Sequence, residues 1–130
     1  MASAVYPKAL EAFLKADIDL DTVAVNAVLL DLATYTYNSA HDFYDDLTGV
    51  VGSESGDLAS KTMTNGVFDA ADITFSSVTG VEVGAVAVFV DRGGAASADN
   101  LLSYNEFTSA VTPNGGDITV QWNASGIFSI

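Results

Sequence analysis

Residues Val81 to Val90 read Val-Glu-Val-Gly-Ala-Val-Ala-Val-Phe-Val, and this stretch carries the strongest secondary-structure signal in the sequence. From Ala85 onward every residue is apolar and every second one is valine, a pattern typical of a strand that is covered on both faces. The valine density, Gly84 and the Asp-Arg-Gly-Gly sequence at 91–94 disfavour a helix. We therefore expect this segment to be the central strand, with the other strands arranged around it.

The composition limits the class of protein. The chain has 130 residues, the length of one domain, and it contains no cysteine, which excludes disulfides and thiolate chemistry. It carries 17 Asp or Glu against 4 Lys or Arg, a formal net charge of −13. Because phosphate groups and anionic lipids attract basic patches, we expect no nucleic acid and no membrane partner. The first eight residues lack the features of a secretory signal.

Residues 6–16 are predicted to form a short helix, with Pro7 in its first turn. Leu10, Phe13 and Leu14 lie three and four residues apart and so share one face. We expect this face to close one end of the core, and docking of a partner on the same face is the alternative. The segment 1–21 is predicted to pack on the rest of the domain.

The remainder of the chain predicts a mainly β fold. About eight short strands are expected, at 22–31, 58–64, 67–69, 72–78, 81–90, 100–108, 118–122 and 127–130. Residues 34–37 alternate in strand fashion, 40–47 suit a short helical turn capped by Ser39, and 49–57 suit a turn or a loose edge strand. Asn65-Gly66 is a strong hairpin signal. We predict one antiparallel β-sandwich domain over 1–130, jelly-roll-like, with a short N-terminal helix.

Two groups of acidic residues are candidate metal sites. Asp17, Asp19 and Asp21 have the spacing of a calcium loop, but Thr22 stands where glycine is needed and Val28 occupies the twelfth position. The second group is Asp42, Asp45 and Asp46, which follows the only histidine, His41. A histidine without a second histidine or a cysteine suits a loop better than a metal site or a catalytic base. We predict no metal and no cofactor.

The sequence also lacks a catalytic motif. The Gly-Gly pairs at 93–94 and 115–116 are not followed by the lysine and helix of a phosphate-binding loop. The segment 52–56, Gly-Ser-Glu-Ser-Gly, does not have the spacing of a nucleophile elbow. We therefore expect no catalytic residue and a protein that is not an enzyme.

Three blocks of sequence resemble a known group of proteins. They are Ala-Val-Tyr-Pro-Lys at 4–8, the segment 58–75, and Val-Thr-Pro-Asn-Gly-Gly-Asp-Ile-Thr-Val-Gln-Trp at 111–122. Together with Thr-Tyr-Thr-Tyr at 34–37, they resemble small structural proteins of tailed bacteriophages, of the kind that decorate or cement capsids. The resemblance covers nearly the whole chain, but these blocks are turns and strand faces, so it transfers no functional residue.

The resemblance implies a virion protein that binds the outside of an assembled phage head and stabilises it. Its partners would be the major capsid protein and copies of itself, as a homodimer or homotrimer. The interface residues are unknown. There are two hypotheses for the contact with the partner. It is made through the N-terminal segment 1–16, or through an edge strand that pairs across chains.

The alternative is a receptor- or carbohydrate-binding module of a fibre or tail. Five aromatic residues could supply stacking platforms for a sugar: Tyr35, Tyr37, Tyr44, Tyr104 and Trp122. Several coplanar, exposed rings would favour this alternative, whereas a dry apolar patch would favour docking on a capsid. A tail or connector component is allowed by the same sequence features.

Overall fold

The structure, a computed structural model, describes residues 3–130, so the first two residues of the predicted domain and N-terminal segment lie outside the described residues. It contains one α-helix, α1 (Pro7–Leu14), and two 3-10 turns, Tyr44–Asp46 and Ala96–Ala98. The described residues form ten strands: β1 (Ala4–Val5), β2 (Ala24–Leu30), β3 (Val50–Val51), β4 (Thr62–Thr64), β5 (Val67–Asp69), β6 (Ile73–Phe75), β7 (Val83–Asp91), β8 (Leu101–Val111), β9 (Ile118–Val120) and β10 (Phe128–Ser129).

The strands form three antiparallel sheets. The largest has the order β1-β8-β7-β2-β3, and two smaller sheets have the orders β10-β5-β4 and β6-β9. One hydrophobic core joins α1 to all three sheets. The predicted class, a mainly β, sandwich-like fold with a short N-terminal helix, is therefore confirmed. The prediction of about eight strands is too low because β1 and β3 have only two residues each, too few to show alternation.

Strand β7 occupies the centre of the large sheet, as its sequence predicts. Every residue from Val83 to Val90 is buried. On one side β7 pairs with β2 without interruption, from Ala24 opposite Asp91 to Leu30 opposite Ala85. On the other side it pairs with β8, where the register shifts near Gly84 and again near Phe89. The continuous apolar run arises because both faces of this strand are covered.

Gly84 provides a test of how tightly β7 is packed. A Cβ atom added at this position would lie 2.8 Å from Leu32 Cδ1 and 2.9 Å from Leu32 Cγ. We expect Gly84→Ala to lower the free energy of unfolding by about 1–2 kcal/mol, since overpacking displaces a neighbour. Urea unfolding measures the change, and Gly94→Ala is the matched control because a Cβ there would meet nothing within 4 Å. Combining Gly84→Ala with Leu32→Ala should cost less than the two single changes together, and strict additivity would contradict this packing.

The segment 52–58 covers the edge of β2 beyond the short strand β3. Ser55 N–H donates to Ala27 O (2.9 Å) and Leu58 N–H donates to Val25 O (2.8 Å). In return, Ala27 N–H donates to Ser55 Oγ and Val25 N–H donates to Asp57 Oδ1, each at 2.9 Å. Side-chain oxygens thus take the place of a strand's carbonyls, which leaves this edge of the sheet satisfied.

The strand predicted at 58–64 is shorter in the structure. Only Thr62–Thr64 is extended and paired, because Ser60 adopts a positive φ of 55° and interrupts the chain. The hairpin that follows is confirmed: Asn65 (φ 54°) and Gly66 (φ 78°) join β4 to β5. Positive φ at both central positions is the geometry that an Asn-Gly pair favours.

Residues 34–37 do not form a strand, and this prediction is wrong. Asp31 Oδ1 accepts the Ala33 N–H (2.9 Å) and Asp31 Oδ2 accepts the Thr34 hydroxyl (3.0 Å), which builds a turn directly after β2. Asn38 Oδ1 forms a second turn by accepting the Ala40 N–H (2.8 Å). Short polar side chains bind the backbone here and replace the strand ladder.

The helical turn predicted over 40–47 is reduced to the 3-10 turn Tyr44–Asp46. Its N-terminus is held by the Asp46 carboxylate, which accepts N–H groups of Asp42 (2.9 Å) and Phe43 (3.4 Å). The predicted cap, Ser39, lies outside this turn. The acidic residue three positions into the turn therefore performs the capping that the sequence assigned to serine.

Candidate functional site

The N-terminal segment is part of the sheet, and its helix buries a different face from the one predicted. Strand β1 pairs with β8, and Tyr6 N–H donates to Leu102 O (3.0 Å), so α1 starts directly against the sheet. The buried side chains of α1 are Ala9 and Ala12. Small side chains allow a helix to pack closely against a sheet. The larger side chains of α1 lie on its other faces.

As a result, two of the three predicted core residues of α1 are exposed. Leu14 is 90% exposed and Leu10 is also exposed, while Phe13 is half-buried. The expectation that this face closes the core holds for Phe13, which packs against the core, and is wrong for Leu10 and Leu14. Leu14 therefore faces solvent, and an exposed apolar side chain on a helix is able to dock a partner.

Next to the C-terminal end of α1 lies an apolar groove of about 530 Å³. One wall comes from the end of the helix and the turn after it, and the other from the β4–β5 hairpin and the last strand. The lining residues of this apolar groove are Phe13, Ala16, Ile18, Asp19, Leu20, Asp21, Met63, Gly66, Val67, Phe68, Phe128 and Ile130. Its size lies in the range of pockets that hold a ligand or an anchoring side chain.

The floor of the groove is aromatic and its rim is apolar and exposed. The Phe68 and Phe128 rings stack with centroids 5.2 Å apart, and Phe68 is fully buried. On the rim, Met63 is 42% exposed and Ile130 is 67% exposed. Large apolar side chains that remain exposed around a concave surface are typical of an interaction site.

The β4–β5 turn positions the rim of the groove. Ile130 N–H donates to Gly66 O (2.9 Å), and Phe128 pairs with Phe68 across β10 and β5. Gly66 has room only for hydrogen, because an added Cβ would lie 2.8 Å from Ile130 O. The last residues of the chain are thus fastened to the hairpin, and they hold Ile130 at the mouth of the groove.

The acidic turn with the spacing of a calcium loop forms the polar part of this rim, through Asp19 and Asp21. Asp19 Oδ1 accepts the Asp21 N–H (3.1 Å), and Asp19 O accepts the Thr22 and Val23 N–H groups (3.1 and 3.2 Å). The turn is therefore held by its own backbone. Within residues 3–130, no three His, Cys, Asp or Glu side chains are grouped so that they could hold a metal ion.

His41 and the neighbouring acids belong to structural contacts. His41 Nδ1 lies 2.8 Å from the Tyr35 hydroxyl. Backbone N–H donation from Asp42 holds the pKa of Asp46 below its usual range, while burial and the nearby Asp46 carboxylate raise the pKa of Asp42. Asp45 is exposed. The Asp46 carboxylate holds the 3-10 turn and His41 contacts Tyr35, and the structure does not bring these residues into a catalytic arrangement.

The five aromatic residues named for sugar stacking do not form an exposed platform. Tyr35, Tyr104 and Trp122 are buried, and Tyr37 and Tyr44 are half-buried. The Tyr37 and Tyr104 rings are tilted by 39° with centroids 5.4 Å apart. Trp122 Nε1–H donates to Ala71 O (3.1 Å). These rings fill the core and its margin, so the stacking role assigned to them is not supported.

The buried tyrosines predict a loss of stability at alkaline pH. Tyr6 and Tyr35 share a 2.6 Å hydrogen bond between hydroxyls, and Tyr104 donates to Glu106 Oε2 (3.0 Å). Burial raises the pKa of each of these three tyrosines above its ordinary value. Above about pH 10 the unfolded chain releases protons that the folded chain retains, so the free energy of unfolding falls as the pH rises.

We expect this fall to reach about 1.4 kcal/mol per pH unit for each tyrosine that titrates only in the unfolded chain. Urea unfolding between pH 8 and 11 measures the slope. Tyr6→Phe removes one such group and should make the slope shallower. A stability that is constant across this range would show that the hydroxyls are not protected from ionisation.

Comparisons with known proteins do not place the chain in a family. No protein-family model matches the sequence. No match is found among curated proteins either. In residues 3–130, no helix has the length and apolar character needed to cross a membrane.

Proposed function

We propose that this chain is a capsid decoration protein, which binds the outer surface of an assembled phage head and stabilises it. The observation that carries the proposal is the apolar groove with its exposed rim, Met63 and Ile130. On a chain with a net charge of −13, exposed apolar side chains of this size are typical of a docking surface. The resemblance to phage structural proteins supplies the kind of partner, the major capsid protein.

The physical role of such a protein is a clip across the seams between capsid subunits. A protein that binds the assembled shell better than free subunits stabilises the shell by mass action. This requires a rigid fold and a docking surface, and it requires no chemistry. The single core and the satisfied edge of β2 supply rigidity, and the groove supplies the surface. A homodimer or homotrimer at a symmetry axis of the head is part of this proposal.

The structure also decides how contact through the N-terminal segment should be tested. Tyr6 is fully buried and β1 pairs with β8, so deletion of 1–16 would remove part of the core and unfold the chain. Point substitutions at exposed positions, such as Leu14→Glu, separate docking from folding, because the Leu14 side chain is 90% exposed.

The proposal is tested by co-sedimentation with expanded heads that lack this protein, prepared from the phage that encodes it. We expect saturable binding at a fixed ratio to the major capsid protein, and this ratio identifies the symmetry axes that are occupied. Unexpanded shells serve as a comparison. The absence of binding to both kinds of shell would contradict the proposal, and retention on tails alone would favour a tail component.

A further inference from the structure

The charge around the apolar groove indicates what the occupant carries. Its twelve lining residues include two carboxylates, Asp19 and Asp21, and no Lys or Arg. Both aspartates are exposed. Because Asp19 Oδ1 accepts the Asp21 N–H and Asp19 O accepts the N–H groups of Thr22 and Val23, the turn and the Asp19 carboxylate are positioned before any partner arrives. A positioned charge loses little conformational entropy when it is paired.

The chain does not neutralise these carboxylates with its own Lys or Arg. Lys8 and Lys15 both bind Glu11, at 3.3 and 2.8 Å. Lys61 binds Asp57 and the Val23 carbonyl. The Arg92 guanidinium donates to the carbonyls of Asp17 and Ala98 and to Asn100 Oδ1. All four Lys and Arg side chains are engaged elsewhere, and the acidic rim of the groove therefore remains open to a cation from a partner.

A second copy of this chain is a poor occupant of the groove. Each copy carries a net charge of −13 with only four Lys or Arg, which are already engaged as described. Docking one copy into the groove of another would bring like charges together across the rim. A segment of a different protein, with basic residues beside an apolar anchor, complements the charge of this groove better than a second copy does.

Resting on the proposed function for the source of the partner, we propose that the groove binds a segment of the capsid protein in which a large apolar side chain is flanked by Lys or Arg. The apolar side chain lies against the half-buried Phe128 and the exposed Met63 and Ile130, and the basic residues pair with Asp19 and Asp21. Burial of these apolar side chains supplies most of the affinity. The two carboxylates supply selectivity for basic flanks and accelerate association.

Synthetic peptides test this inference independently of any shell. The probe is an acetylated peptide with a central Leu-Phe pair and two lysines on each side, compared with peptides that carry glutamate or serine in place of the lysines. Binding is followed through amide shifts of the isotopically labelled protein. We expect the lysine peptide to shift residues 18–21, 63–68 and 128–130, with an affinity that falls as salt rises. The glutamate peptide should shift none of them.

Charge-neutral variants provide the matched comparison. Asp19→Asn with Asp21→Asn keeps the side-chain oxygen that accepts the Asp21 N–H, and it should weaken the lysine peptide about fivefold. Asp45→Asn with Glu82→Gln removes the same charge from exposed positions that do not line the groove, and it should leave the affinity within about twofold.

Equal affinity for the lysine and glutamate peptides, shifts outside the groove, or no binding by any peptide would overturn the inference. Shell binding without peptide binding would leave the decoration role standing and remove this partner chemistry. Peptide binding without shell binding would support the partner chemistry of the groove and contradict the decoration role. The two failures are therefore distinguishable.

Discussion

Truncation of Phe89 to alanine is expected to lower the free energy of unfolding by about 3–5 kcal/mol. Phe89 is 1% exposed in the central strand β7, and its ring lies 4.6 Å from the Tyr44 ring, centroid to centroid. Removal of the ring leaves a cavity between the sheet and the 3-10 turn that the surrounding strands cannot fill. Because small domains are stable by only about 5–15 kcal/mol, this is a large fraction of the total.

Urea unfolding followed by circular dichroism measures this loss, with the same dependence on urea expected for both chains. Val81→Ala is the matched control, because Val81 is 56% exposed and its truncation should cost less than about 0.5 kcal/mol. If Phe89→Ala cost no more than the control, β7 would not be the strand around which the core is packed.

Under the proposed decoration role, replacement of Met63 by glutamate is expected to weaken retention on expanded heads about 30-fold while leaving the fold intact. Met63 is 42% exposed on the rim of the apolar groove, so the substitution removes little from the core. In the complex, the new carboxylate would be buried against an apolar anchor beside Asp19 and Asp21. An unpaired buried charge of this kind costs about 2 kcal/mol or more, which is roughly a 30-fold loss of affinity.

The control is Val81→Glu, which introduces the same charge at an exposed apolar position that does not line the groove. It should retain the affinity of the unmodified protein. Thermal unfolding of both variants verifies that each remains folded. Equal retention of Met63→Glu and Val81→Glu would contradict the groove as the docking surface.

Much of the fold can be predicted from local sequence, because the decisive signals are local. The run Val81–Val90 predicts the central strand, and Asn65-Gly66 predicts the β4–β5 hairpin. Each signal depends only on the residues of its own segment. The segment 34–37 alternates as a strand would, but it forms no strand. The side chains of Asp31 and Asn38 instead bind the neighbouring backbone in turns. Periodicity does not reveal this competition between side chains and the strand ladder.

The candidate site could not be predicted, because it is formed by segments that are distant in the sequence. The end of α1 with the turn after it, the β4–β5 hairpin and the segment 128–130 contribute residues about 40 to 120 positions apart. The sequence did identify Leu10, Phe13 and Leu14 as one helical face, but it placed that face in the core. The available signal was the pair Ala9 and Ala12, whose small side chains allow close approach to a sheet, and periodicity alone does not choose between the two faces.

The most direct test of the proposed function is the rupture temperature of expanded heads, recorded with and without saturating amounts of this protein. The decoration role predicts a higher rupture temperature with the unmodified protein and with Val81→Glu, and a smaller increase with Met63→Glu at the same concentration. An unchanged rupture temperature at saturating, verified binding would contradict the claim that this chain stabilises the capsid.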